Sequence, residues 1–287
     1  MKLGVIGAGY WGSKIVQSVG PKISVTVLDV KNGDHWQNDQ LDAVIIATPP
    51  DQHYTMSRWY LEQGKHVLCE KPTAVDTIEQ AHLNKIAQES GSVYQAGHIL
   101  LFQPSIQEML RILKDHQVRH IESRRLNWGR LQTNLNLAWH LAPHDISVID
   151  QIDSSRPSRV WSLGYHLNRS PKLDYNTYDL TYHQFNATIT LGWHWPKKVR
   201  EFVATCEDLQ MWVDDEQLHV IEGGWDKELN NLRRTSERVI TFNPTQSPLQ
   251  AQIQHFISCI EQGTEPLAGP DHMLRVVDTV QRMGNGI

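Results

Sequence analysis

The sequence predicts a chain in two parts. The first is α/β, built on a doubly wound parallel sheet; the second is α+β, built on an open, mostly antiparallel sheet with helices. Three observations carry this. Up to about residue 118, short apolar runs alternate with stretches of helical spacing. β-rich stretches then follow one another with one clear helix among them. Two amphipathic segments close the chain. The domains expected are residues 1–118 and 119–287.

In the first part, residues 2–6 read as a strand, 7–12 as a turn, 11–19 as a helix and 24–30 as a second strand. Residues 42–48 form an apolar run stopped by Pro49-Pro50. A helix over 53–63 ends at Gly64. A strand over 65–69, a helix over 77–90 and a strand over 92–98 follow. Such alternation implies parallel strands joined by right-handed crossovers. In the second part, strands are expected over 120–128, 158–165, 181–193, 200–205, 209–214 and 217–222. One helix is expected near 144–152, and helices over 249–262 and 273–283 close the chain. There is no internal repeat and no low-complexity segment.

Hydrophobic content of 40% and charged content of 21% are those of a soluble globular chain, and 287 residues are enough for a sizeable core. The net charge of −5 is made of interspersed acids and bases, so no basic stripe for nucleic acid is expected. The longest apolar runs, such as 43–48, are strand length, which argues against a membrane span. The N-terminus enters a strand directly, so a signal peptide is not expected. Cys69, Cys206 and Cys259 are widely spaced and odd in number, which predicts buried reduced thiols in a cytoplasmic protein.

Gly7-Ala8-Gly9-Tyr10-Trp11-Gly12 is a G-x-G-x-x-G between a strand and a helix, the context of a dinucleotide-binding Rossmann unit. The first glycine makes the tight turn. The second admits a pyrophosphate close to the backbone. The third lets helix and strand pack, and the helix start offers N–H groups to phosphate. Asp29 stands 17 residues past Gly12, near the end of the second strand. A carboxylate there accepts from the ribose diol and repels a 2′-phosphate, which favours NAD over NADP. Lys31 is the opposing feature, since a cation can accommodate that phosphate.

Glu70-Lys71-Pro72 follows a strand of the same sheet. Ligands of open parallel sheets sit beyond the carboxyl ends of strands, so Lys71 is aimed at the nicotinamide end. A lysine in a partly dry pocket loses proton affinity and can relay a proton near neutral pH. Pro72 fixes the turn and suits a cis bond. The second cluster is Trp139-His140-Leu141-Ala142-Pro143-His144-Asp145. Pro143 fits a first helical turn, which would place His144 at a helix start and favour its neutral, proton-accepting form. A helix beginning earlier would put His140 and His144 on one face. That spacing also matches half a metal site, but no third ligand accompanies it, so no metal is expected.

These residues resemble the Gfo/Idh/MocA oxidoreductase family. The resemblance runs through Gly4-Val5-Ile6-Gly7-Ala8-Gly9-Tyr10-Trp11-Gly12, Val44-Ile45-Ile46-Ala47-Thr48-Pro49-Pro50 with His53, and Glu70-Lys71-Pro72. It continues through Ala96-Gly97-His98, Phe102-Gln103-Pro104, Leu141-Ala142-Pro143-His144-Asp145 and Gly263-Thr264-Glu265-Pro266-Leu267. It implies an NAD-dependent oxidoreductase acting on a sugar hydroxyl, with a homodimeric or homotetrameric assembly formed through the C-terminal sheet. The family lysine maps onto Lys71 and the family histidine onto His144. Gly7, Gly9, Tyr10, Trp11, Gly12, Asp29, Thr48, Pro49, His53, Glu70 and Lys71 are the expected cofactor residues. Lys71, Arg130, Trp139 and His144 are the expected substrate residues, with Lys71, His144 and His140 as the catalytic set. Arg130, Trp139 and the His-Asp pair look most like branches acting on nucleotide-linked sugars, of the UDP-N-acetylglucosaminuronate 3-dehydrogenase kind.

Two departures stand out. His140 occupies the place of an acidic residue four before the family histidine, which bears on proton relay. Only 12 residues separate Asp29 from Asp42, so a helix and strand are expected to be missing between 30 and 41, thinning the adenine side. The alternatives to sugar oxidoreduction are a non-enzymatic NAD(H)-sensing protein and a glycosidase using bound NAD transiently.

Overall fold

The computed structural model describes residues 1–21, 23–30, 35–128, 135–167, 174–214 and 216–285. The chain divides into two compact units, Met1–Phe102 with Gln246–Asp278, and Gln103–Thr245 with Thr279–Ile287. This differs from a single boundary at 118/119. Both units are discontinuous in the chain, and a return of the chain leaves no mark in local composition.

In the first unit, β1 (Leu3–Ile6), β2 (Val25–Leu28), β3 (Ala43–Ile46), β4 (His66–Cys69) and β5 (Tyr94–Ala96) form one sheet in the order β2-β1-β3-β4-β5. Every pairing in it is parallel. β1 and β3 are buried along their whole length, as strands covered on both faces are. Helices α1 (Tyr10–Ser18), α2 (His53–Glu62) and α3 (Thr77–Ser90) join the strands. Asp76 caps α3 by accepting from the Glu79 N–H at 2.7 Å. Of the closing helices, α6 (Pro248–Gln262) returns to this unit and places Leu249, Ile253, Phe256 and Ile257 against Leu3, Val5, Ile15, Ile45 and Leu68.

No strand lies between β2 and β3 among the described residues, as the short connection implied. Trp36 fills part of that connection. Its ring meets Trp59 edge-on, centroids 5.7 Å apart, and its carbonyl accepts the Tyr60 hydroxyl proton. Lys31 lies outside the described residues.

In the second unit, after helix α4 (Pro104–Leu113), eight strands form one sheet: β6 (Val118–Trp128), β7 (Arg159–Tyr165), β8 (Tyr175–Thr181), β9 (Asn186–Gly192), β10 (His194–Cys206), β11 (Leu209–Asp214), β12 (Gln217–Asp226) and β13 (Asn231–Thr241). The order is β13-β12-β11-β10-β6-β9-β8-β7. Among the described residues, only the β6–β9 pair is parallel. Helix α5 (Leu137–Ile152) packs against β6 and β9. Helix α7 (Pro270–Asn285) closes the chain.

Four elements depart from expectation. The strand expected over 181–193 is one arm of a hairpin: β8 ends at Thr181, and Tyr182 N–H bonds the Phe185 carbonyl at 2.9 Å before β9 begins. β13 and α4 were not foreseen. β13 is exposed and carries Arg233, Arg234, Glu237 and Arg238, so it lacks an apolar alternation. Finally, α5 starts at Leu137, not near His144. All three cysteines are buried and free. Among the described residues, no helix is long and apolar enough to cross a membrane and no cluster suits a metal ion.

Candidate active site

The candidate residues fall in two groups, one in each unit. The first lies along the carboxyl ends of β1 to β4. The Gly7 N–H donates to the Leu28 carbonyl at 2.8 Å, which sets the glycine turn beside Asp29. Gly7 has φ +98°, and a Cβ there would meet the Ala47 carbonyl oxygen at 2.8 Å. A Cβ on Gly12 would meet the Gly7 oxygen at 1.8 Å, so helix and turn close only around glycine. Gly9 is different: among the described residues, nothing lies within 4 Å of a Cβ placed there. Gly9 is also the N-cap of α1, no side chain caps that helix, and no acidic residue stands in its first turn. An open approach to bare N–H groups suits a pyrophosphate, and these residues therefore fit a dinucleotide. Tyr10 is exposed, with Lys14 Nζ 4.5 Å from its ring centroid.

Beyond β4, the turn carrying Lys71 is fixed from two sides. Trp11 Nε1 donates to Glu70 Oε1 at 2.6 Å, and the Lys71 N–H reaches Glu70 Oε2 at 3.4 Å. Gly97 leaves room for that carboxylate; a Cβ there would come within 2.8 Å of it. Burial pushes the Glu70 pKa up, against the Trp11 bond and the charge of Lys71. On the other side, buried His53 sets Nδ1 2.7 Å from the Pro72 carbonyl oxygen and Nε2 2.8 Å from that of Thr48. The Lys71–Pro72 bond is cis. Thr48 and Pro49 end β3 and lead into the short helical turn Pro50–Gln52.

Trp11, His53 and Glu70, expected among the cofactor residues, have polar atoms engaged with one another and with backbone, and these contacts brace the turn. His98 was quoted in the sequence without a role. It is buried, and its Nδ1 lies 2.9 Å from Nε2 of His272. Burial, then His272, then Lys71 hold its pKa well below the usual histidine range. Gln80 was also missed: it accepts the Thr73 hydroxyl proton at 2.5 Å, two residues past Lys71.

The second group lies on α5. Asn136 caps the helix, its Oδ1 accepting from Trp139 N–H at 3.0 Å. Pro143 therefore sits inside the helix rather than at its first turn. Its missing N–H leaves the Trp139 carbonyl without the usual helical donor. The correction has two results. His140 and His144 share a face, four residues apart. His144 also loses the helix-start reason for staying neutral, because it stands mid-helix. His140 meets Trp193 edge-on with centroids 5.9 Å apart, and Trp139 is buried. Arg130 lies outside the described residues. Sequence reasoning missed Arg125 on β6, whose guanidinium grips buried Asp145 through Nε at 2.9 Å and Nη2 at 2.8 Å. That grip fixes the α5 turn bearing His144.

Comparison with known proteins adds the following. Over 200 residues the chain is 25% identical to 2,7-anhydro-N-acetylneuraminate hydratase of Escherichia coli (strain K12), covering 58% of this chain and 53% of that protein. Over 126 residues it is 31% identical to UDP-N-acetylglucosamine 3-dehydrogenase of Acidithiobacillus ferrooxidans, covering 44% and 40%. The chain thus spans about half the length of these curated relatives, or less. The solved structure of that dehydrogenase, GnnA, superposes with TM-score 0.87 at 22% identity over 100% of this chain and 97% of that one. KijD10, a 3-ketoreductase from Actinomadura kijaniata solved with TDP-benzene and NADP, superposes with TM-score 0.81 at 17% identity over 100% and 97%. These likenesses show a shared fold. Residues 21–98 match the family model described as an oxidoreductase family with an NAD-binding Rossmann fold. Over that stretch the chain is similar to the Gfo/Idh/MocA oxidoreductase family.

Proposed function

We propose that this chain is an NAD-dependent oxidoreductase moving a hydride between nicotinamide and a hydroxyl-bearing carbon of a sugar or nucleotide sugar. One observation carries the reading: Lys71 stands past the carboxyl end of β4 on a turn braced by Glu70 and His53, in the same unit as a glycine turn open at Gly9. A bound nicotinamide would supply the hydride acceptor or donor. Gly7, Gly9 and Gly12 with the start of α1 would hold its pyrophosphate. Asp29 would accept from the ribose diol, the basis for preferring NAD to NADP. Lys71 takes or returns the hydroxyl proton, and His144 is assigned a second proton-handling role by the resemblance. The relative named for UDP-N-acetylglucosamine supports a nucleotide-linked sugar as substrate.

The test is turnover on a panel of UDP- and TDP-sugars with NAD and NADP, repeated with Lys71→Met. Lys71→Met should keep NADH binding and lose turnover by about 10²–10⁴-fold. Wild-type turnover in that variant removes Lys71 from the mechanism. The hydratase relative favours a second reading, a net reaction that leaves the cofactor unchanged. Sugar conversion with no net change in NADH absorbance would select it.

A further inference from the structure

Three uncharged side chains link the turn that bears Lys71 to the first residue of α7. Thr73, two residues past Lys71, donates its hydroxyl proton to Gln80 Oε1 at 2.5 Å. Gln80 Nε2 donates to Asn84 Oδ1 at 2.8 Å. Asn84 Nδ2 donates to the Pro270 carbonyl at 2.7 Å. Thr73 and Gln80 are buried, and all four residues belong to the first unit.

Local sequence explains the near end of this link. Asp76 caps α3 and fixes where the helix begins. Gln80 stands one turn in, and a helical side chain leans toward the N-terminus, here back to Thr73. Asn84 is four residues further on, on the same face. The far end is not local, since Pro270 is 186 residues from Asn84.

The link has one direction. A carbonyl only accepts, so Asn84 turns its NH₂ group to Pro270 and its oxygen to Gln80. Gln80 then offers its own NH₂ group, whose nitrogen also lies 3.9 Å from Met273 Sδ, and keeps its oxygen for Thr73. Thr73 is left to donate. Reversing either amide sets two like groups face to face, and an unmade hydrogen bond in a buried place is costly.

We propose that Gln80 and Asn84 are positioning residues: through Thr73 they hold the turn bearing Lys71 to the start of α7. They act through the backbone of that turn. This rests on the reading of Lys71 as the proton carrier and adds what keeps its turn in place.

The first test needs no substrate. Amide hydrogen exchange of the full chain, followed by mass spectrometry, reports the opening of a peptide spanning residues 69–76. In Gln80→Met, exchange there should be about fivefold faster than in wild type, the worth of one hydrogen bond. Asn84→Leu leaves Thr73 and Gln80 in place, yet it should speed the same peptide by at least about twofold. Thr73→Val should match Gln80→Met, and Thr73→Ser, which keeps the hydroxyl, should exchange as wild type.

The second test is turnover on the UDP- or TDP-sugar that the wild type converts. In Gln80→Met, kcat per folded protein should fall about 10–100-fold with NADH affinity unchanged. Thr73→Val combined with Gln80→Met should be no slower than either alone, because both remove the same link. Wild-type exchange at residues 69–76 in folded Gln80→Met or folded Asn84→Leu overturns the proposal. Faster exchange with wild-type kcat overturns it too, since the turn would then be held for stability alone. Should Gln80→Met not fold, Thr73→Val takes its place in both measurements. Wild-type turnover by Lys71→Met sinks the reading of Lys71 as proton carrier and leaves the exchange result to judge the link on its own.

Discussion

Asp145 accepts two parallel hydrogen bonds from Arg125, at 2.8 and 2.9 Å, with both side chains buried. The pair ties α5 to β6 one residue past His144. Breaking a buried pair from one side is costly because the remaining charge has no partner. Arg125→Met should lower stability by about 3–5 kcal/mol in urea unfolding. Adding Asp145→Leu should recover most of that loss. A double variant as unstable as Arg125→Met would show that packing, not the stranded carboxylate, sets the cost.

Gly9 and Gly12 should behave oppositely on substitution by alanine. At Gly12 the new methyl runs into the Gly7 oxygen, so Gly12→Ala should cost at least about 1–3 kcal/mol of stability. Gly9→Ala meets open space and should fold as wild type. Its methyl stands where the pyrophosphate is expected, so NADH affinity should drop about tenfold, or about 1.4 kcal/mol. Fluorescence titration with NADH measures this, and unaltered affinity would place the phosphates elsewhere.

Acid should act on this protein partly through His98. In the unfolded chain the imidazole takes a proton near its ordinary value of 6.5, while in the folded chain burial holds the proton off. Its share of stability is therefore complete above pH 6.5 and is lost as pH falls from there toward the depressed folded value. The slope for one proton is about 1.4 kcal/mol per pH unit. His98→Gln should flatten the fall between neutral and mildly acid pH by about that amount. Equal slopes in the two proteins would acquit His98.

The cap of α5 is a smaller lever. Asn136→Ala removes the acceptor of the Trp139 N–H and should cost about 1 kcal/mol. Asn136→Asp keeps an acceptor oxygen and should stay close to wild type. Thermal melts of the two variants separate loss of the cap from loss of side-chain bulk.

Much of the first unit could be read from residue order because its signals are local. Apolar runs gave β1 to β5, and the glycine spacing gave the turn before α1. The short stretch between Asp29 and Asp42 agrees with β2 and β3 having no strand between them among the described residues. The place of Lys71 just past β4 was legible for the same reason, since a strand end followed by Glu-Lys-Pro is a local pattern. The bracing of that turn was not visible, because Trp11, His53 and Gln80 reach it from other elements. Pro143 misled in the opposite direction. A proline fits a first helical turn better than an interior, so the true start at Leu137 was overlooked. Asn136 was the signal that could have corrected it. β13 escaped because hydrogen bonding to β12, not an apolar alternation, makes it a strand.

The position of α6 has a consequence for synthesis on the ribosome. The sheet face covering Leu3, Val5, Ile45 and Leu68 receives Phe256 and Ile257 from a helix made some 150 residues after β5. A nascent chain that has emerged only through residue 118 holds all five strands of that sheet but still shows this greasy face to water. A fragment cut there should be sticky and poorly folded, and supplying residues 246–278 as a separate peptide should rescue it.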